Sequence, residues 1–231
     1  VAVAFVDEHE CASWSTAGLT KASTFTPSAS DTLVVFASVY DVTACQLSGI
    51  AGGGLTWTNR AQIDGFSTFG GTYIWTAPVA STGSVTITVT STQASGAWGY
   101  NILRYTGVTG FGTGVTNHSS SGQPSAAVTT VAASSVIVWV SSDFNTIDGT
   151  VRTYSTATAG AFTEQTYDNV GFTSGVYGGF HANAGAAGAK TVGGTLPTGQ
   201  WWTIAALEVQ GGAAAVVAGP IRSAGQYNTF F

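Results

Sequence analysis

The stretch SVTITVTS, Ser84–Ser91, alternates without a break: Val85, Ile87 and Val89 fall on one side, and Thr86, Thr88 and Thr90 on the other. A period of two is the signature of a β-strand with one face buried and one wet. Working outward, runs of similar length recur between turn signals: DTLVVFASVYDV (31–42), GGTYIWTAPV (70–79), GYNILRYTGV (99–108), SSVIVWVSSDF (134–144), SGVYGGFHAN (174–183) and QWWTIAALEVQ (200–210). TLVVFASVY (32–40) and SVIVWV (135–140) are apolar on both faces, which places them mid-sandwich or against a neighbouring subunit. No segment carries a capped helical stripe, and the alanines of 182–190 and 211–219 sit among glycines that each cost about 1 kcal/mol in a helix interior. The chain reads as all-β.

Composition narrows the classes of function. With 231 residues, one large all-β domain or two small ones fit. Only 7 % of residues are charged, so hydroxyls, amides and backbone make most of the surface. Little charge repulsion separates copies of such a protein, which suits life in an assembly. The six Lys and Arg are scattered and form no basic run, which argues against nucleic acid as a partner. No apolar run is long enough for a membrane span, and the first residues lack the basic start and apolar stretch of a secretory signal. Cys11 and Cys45 are expected to be bridged if the protein is secreted, and to be two buried thiols if it assembles in a reducing cytoplasm.

A weak repeat orders the chain. A hydrophobic strand (31–42), a Gly-rich aromatic hairpin (71–91) and a strand opening at Trp98 are matched by 134–145, 175–199 and 200–211. The halves, about 1–110 and 124–211, are expected to interlock into one sandwich over residues 1–211, joined by a Gly/Ser-rich polar crossing within 109–134. After the last strand, residues 212–231 lose the alternation and end in Phe230 and Phe231. They read as an extended C-terminal arm whose Ile221, Tyr227, Phe230 and Phe231 bind a partner.

The order of DTLVVFASV (31–39), GGLTWTNRAQ (53–62), TYIWTAPVASTGSVTITVTST (72–92), WGYNILRYTGV (98–108), SSSGQPSAAVTTVAASSVIVWV (119–140) and WWTIAALEV (201–209) resembles the jelly-roll β-sandwich domains of tailed-phage virion proteins and some bacterial surface proteins. The resemblance covers roughly residues 1 to 210. It implies a jelly-roll-like antiparallel β-sandwich built from two similar halves, without enzymatic activity or a cofactor, displayed on the virion surface. Its partners would be capsid or other virion proteins and further copies of itself, with a trimer expected. It brings no set of functional residues.

Candidate sites were weighed on residue chemistry. In DEHE (7–10), His9 is followed four positions later by Ser13, so the H-E-x-x-H zinc motif fails. On a strand, Asp7, His9 and Cys11 share a face, and Cys45 is a conceivable fourth zinc ligand; the plainer reading is a charged edge or inter-subunit contact. Asp143, Asn145 and Asp148, and Glu164, Asp168 and Asn169, offer oxygens for calcium, but turn chemistry explains Asp and Asn there equally well. Glu208, the one carboxylate clearly set in a strand, is expected to face solvent because Leu207 and Val209 take the opposite face. No facing carboxylate pair or nucleophile elbow is visible, so the chain is not read as an enzyme. The alternative function is glycan binding on a phage tail or an extracellular bacterial surface, with Trp57 and Tyr73 in Gly-rich loops as the contacts.

Overall fold

The computed structural model describes residues 1–11, 14, 16–40, 45–65, 70–144, 152–170, 174–196, 198 and 201–212. Eight strands come first: β1 (Ala4–Glu10), β2 (Thr20–Phe25), β3 (Thr32–Val39), β4 (Leu47–Gly52), β5 (Thr58–Ile63), β6 (Thr72–Pro78), β7 (Val85–Ser91) and β8 (Trp98–Thr106). Nine follow: β9 (Val108–Phe111), β10 (Val115–Ser119), β11 (Ser125–Thr130), β12 (Val136–Phe144), β13 (Thr153–Tyr154), β14 (Phe162–Val170), β15 (Ser174–His181), β16 (Gly188–Leu196) and β17 (Trp201–Gly211). All pairings are antiparallel, and no helix occurs among the described residues.

Expected as one interlocked sandwich, the strands instead divide among four sheets, ordered β1-β8-β3-β6-β5, β2-β7-β4, β10-β17-β12-β15-β14 and β11-β16-β13. None of these sheets mixes strands from β1–β8 with strands from β10–β17. Adding nine to each label of the first two sheets gives the other two, strand for strand. The stretch 109–134, read from sequence as a polar crossing, contributes β9, β10 and β11. Its strands are short, and Ala126 and Val128 turn inward while Ala127 and Thr129 turn out. An alternation carried by alanine and threonine is too faint to stand out from a loop.

The two large sheets, the second of which also carries β9 beside β17, lie face to face. β3 crosses over β12, β6 over β17 and β5 over β10, while on the other flank Phe5 and Tyr105 meet Phe180 of β15 at ring separations of 4.8 and 6.0 Å. Each of these sheets therefore has a second face to cover, and a three-stranded sheet covers it. Alternate residues of β12 feed two cores. Val136, Val138 and Val140 join Val34, Phe36 and Ile74 between the large sheets; Ile137 and Trp139 join Ala126, Val128 and Val192 on the other side. β17 divides likewise, with Ala205, Leu207 and Val209 in one core and Trp202, Ile204 and Ala206 in the other. This is why TLVVFASVY and SVIVWV are apolar at both parities, whereas SVTITVTS, in an outer sheet, is apolar at one. The large sheets approach closely: a Cβ on Gly178 of β15 would stand 3.1 Å from the Phe36 ring.

The last described residue, Gly212, lies beside the chain start. A Cβ there would be 3.2 Å from the Val1 nitrogen and 3.5 Å from Thr109 Cγ2.

Trp139 anchors the second core. It stacks on Phe162 at 4.5 Å, and its indole N–H donates to His181 Nε2 at 3.2 Å, so Nδ1 carries the proton donated to Gly160 O at 2.9 Å. Burial pushes His181 below the ordinary histidine pKa, which keeps it neutral. Trp139→Ala is expected to cost about 3–5 kcal/mol by denaturant titration, because it leaves a cavity and an unpaired His181 nitrogen.

Candidate functional site

Edge strand β1 sets out the DEHE segment with its side chains on alternate faces. Arg104 of β8 donates to Asp7 Oδ2 at 2.6 Å and its Nε lies 3.5 Å from buried Asp31, which in turn accepts from Ser28 N at 2.7 Å. The His9 ring stacks on Phe25 at 4.4 Å, with Nε2 3.5 Å from Asp7 Oδ1. Asp7 and His9 thus pin β1 to β8 and β2. Cys11 is turned to the backbone, with Tyr100 N donating to its Sγ at 3.3 Å, and Cys45 Sγ lies 3.0 Å from Ser91 Oγ. Both cysteines are buried, and no disulfide joins them. Among the described residues, no group of three or more His, Cys, Asp or Glu side chains is placed to hold a metal.

Glu8 takes the other face, toward the space between the large sheets. Asn101, fully buried in β8, donates through Nδ2 to Glu8 and accepts at Oδ1 from the Trp14 indole at 2.7 Å. Trp14 presses on Gly99, where an added Cβ would fall 2.4 Å from the indole, and leans on Phe36 at 6.4 Å. Glu8 therefore ties the edge strand to the plug that fills this flank. Burial first, then Glu10, pushes its pKa up to about 7.

The candidate carboxylates further along the chain are spoken for. Glu164 accepts two bonds from Arg152, at 2.8 and 2.9 Å, and one from the Tyr154 hydroxyl, while the guanidinium lies 3.4 Å over the Tyr167 ring. Asp143 is buried and accepts from Tyr177 OH at 2.7 Å; Asn145 and Asp148 fall outside the described residues. Asp168 lies near Tyr40 and Lys21; burial foremost, then Asp168, raises the Tyr40 pKa, and burial lowers that of Lys21. A cavity of about 220 Å³, open mouth included, lies between the halves and is lined by Tyr40, Gly70, Asp143 and Trp201. Its enclosed part holds about one water molecule, too little for a sugar ring.

Glu208 corrects the sequence reading. It does face away from Leu207 and Val209, but that face is covered by β11 and the turn after it, and the side chain is fully buried. Its carboxylate accepts from Val131 N at 3.0 Å, Ala132 N at 3.1 Å, Ser135 Oγ at 2.8 Å and Gln210 Nε2 at 3.0 Å. Burial opposes the charge, yet bonds from Gln210, Ala132, Val131 and Ser135 outweigh it and hold the pKa below the usual carboxylate value. The role is structural: one carboxylate caps the turn between β11 and β12. No sequence signal marks it, because a second sheet over that face is a long-range event.

Of the aromatic candidates, Tyr73 lies in the core, stacked on Trp75 at 5.4 Å with its hydroxyl accepting from Leu47 N at 3.2 Å, so it presents no surface to a glycan. Trp57 is half-buried against the first core. Ile221, Tyr227, Phe230 and Phe231 lie outside the described residues. No protein-family model, curated protein or solved structure matches the chain.

Two titrations of opposite sign follow. The folded pKa of Glu8 lies above its unfolded value near 4.5, so its stabilisation is full below pH 4.5 and is lost as pH rises through 7. Glu8→Gln should raise the urea midpoint at pH 8 and leave it unchanged at pH 4. For Glu208 the folded pKa is depressed, so its contribution is present above about pH 4.5 and is lost as pH falls through the folded value. Glu208→Gln is expected to cost about 1.5–3 kcal/mol at pH 7, with a shrinking penalty in acid, read from melts across pH.

Proposed function

We propose that this chain is a non-enzymatic virion structural protein, a phage head decoration or minor capsid component that binds the shell through residues 212–231. The observation that carries the reading is the strand order. Pairings β1–β8, β2–β7 and β3–β6 are those of one long hairpin rolled on itself, and β10–β17, β11–β16 and β12–β15 repeat them. We read that winding as a jelly roll made twice and packed back to back, with the departure that β5 and β14 extend the larger sheets instead of pairing with β4 and β13. Support also comes from the outward residues of the outer sheet, Thr20, Ala22, Thr24, Thr86, Thr88 and Thr90, which carry no charge. Such a surface lets many weak contacts add across a symmetric shell.

Glycan binding is the second reading, and Trp57 supports it: the side chain is partly exposed. With Tyr73 in the core, that reading rests on Trp57 alone.

The deciding experiment is co-sedimentation with shells from the protein's source. The full chain should sediment with them, and a chain lacking residues 212–231 should stay in solution while melting at the same temperature as the full chain. Equal sedimentation of both chains overturns the arm as the anchor. If neither sediments and the full chain is retained on a glycan array, with Trp57→Ala released, the second reading replaces the first.

A further inference from the structure

Exposed strand edges invite pairing, and proteins usually guard them with charge, irregularity or cover. Most edges here are guarded. β1 carries Asp7, Glu8 and Glu10, β2 carries Lys21, β5 carries Arg60, and β14 carries Glu164 and Asp168. β4 is broken by a register shift, β13 has two residues, and β10 is packed by β5 and β11. β11 is different. Its ladder with β16 runs from Ser125 to Thr130 with no register shift, it has no charged residue, and Val131 just beyond is 68 % exposed.

The direction of its backbone groups follows from the ladder. Gly194 N donates to Pro124 O at 2.9 Å, so by antiparallel alternation Ala126, Val128 and Thr130 bond to β16, and Ser125, Ala127 and Thr129 turn their groups to the open side. Asn117 Nδ2 meets Ser125 O there at 2.8 Å. Among the described residues, no strand pairs with Ala127 and Thr129 on the open side.

We propose that this edge receives residues 213–218 (Ala-Ala-Ala-Val-Val-Ala) of a second copy of the chain, which add to β11 as a further strand. The segment is uncharged, follows directly on β17, and is closed by Gly219 and Pro220, which end a strand. Residues 213–218 span up to about 20 Å when extended and begin at Gly212 itself, so the neighbour's β11 edge lies beside the point where the tail departs. A second copy is the occupant because of where the tail departs. Gly211 and Gly212 lie against Val3, Val1 and Thr109, on the side of the first half, whereas β11 covers the opposite face of β17, where Glu208 meets Val131. The inference deepens the partner side of the virion reading, leaving Tyr227, Phe230 and Phe231 free for a shell.

The test uses the full-length chain and two substitutions. Ala127→Pro removes an outward N–H without touching the β16 ladder, and Val216→Pro spoils the donated strand. Light scattering at tens of micromolar should give the unmodified chain a mass of at least twice 23.4 kDa, and each variant alone the monomer mass. Mixed one to one, the variants should form a heterodimer, since Ala127→Pro keeps a sound arm and Val216→Pro a sound edge. In the unmodified chain, the Ala127 and Thr129 amides should exchange several-fold more slowly as concentration rises, a readout independent of whether a variant folds. A monomeric unmodified chain, or exchange at those amides that ignores concentration, overturns the proposal. Shell co-sedimentation of Val216→Pro separates the two ideas: retained binding with lost self-association leaves the virion reading standing.

Discussion

Everything in this fold depends on two sheets being covered on both faces. Successive residues of a strand point to opposite sides, so a sheet buried once needs apolar residues at every second position, and a sheet buried twice needs them at all. β3 and β15 are buried at every residue, and β12 at all but Phe144, with apolar residues on both faces and a few polar ones among them. Their own hydroxyls are placed where the backbone can take them: Ser141 Oγ donates to Thr203 O at 2.8 Å and Ser142 Oγ to Val39 O at 3.1 Å, the latter across the junction of the large sheets. Four layers follow from this, because an apolar face on each side of each large sheet has to be met by something.

The charged residues, few as they are, fall where the layers end. Arg104 sits between Asp7 and Asp31 at the rim of the first sandwich, and Arg152 sits on Tyr167 and Glu164 at the rim of the second. Glu8 and Glu208 both turn inward, and their environments differ in kind. Glu208 receives backbone and hydroxyl donors that favour its charge, while Glu8 has burial and Glu10 working against it. One is a fixed cap; the other is a neutral-pH proton site beside the Trp14 plug.

The all-β class and the two-sided strands were legible because side-chain periodicity is local. The single apolar face of SVTITVTS and the two faces of DEHE both came from counting by two. The layer count was not legible, since an apolar face does not say whether its cover is a sheet of the same half, of the other half, or of another molecule. The same gap misplaced Glu208 and Tyr73: parity gave the orientation of Glu208, and only the tertiary partner decided that the face was dry. For Tyr73, a neighbouring Gly70-Gly71 pair read as a loop, yet β6 begins at Thr72 and runs through the middle of a sheet.

The closeness of Val1 and Gly212 sets how the body bears a mechanical load. Tension applied between these two points enters at one corner and opens β1 from β8 at the end where Ala4 faces Thr106, one pair of bonds at a time, as a zipper opens.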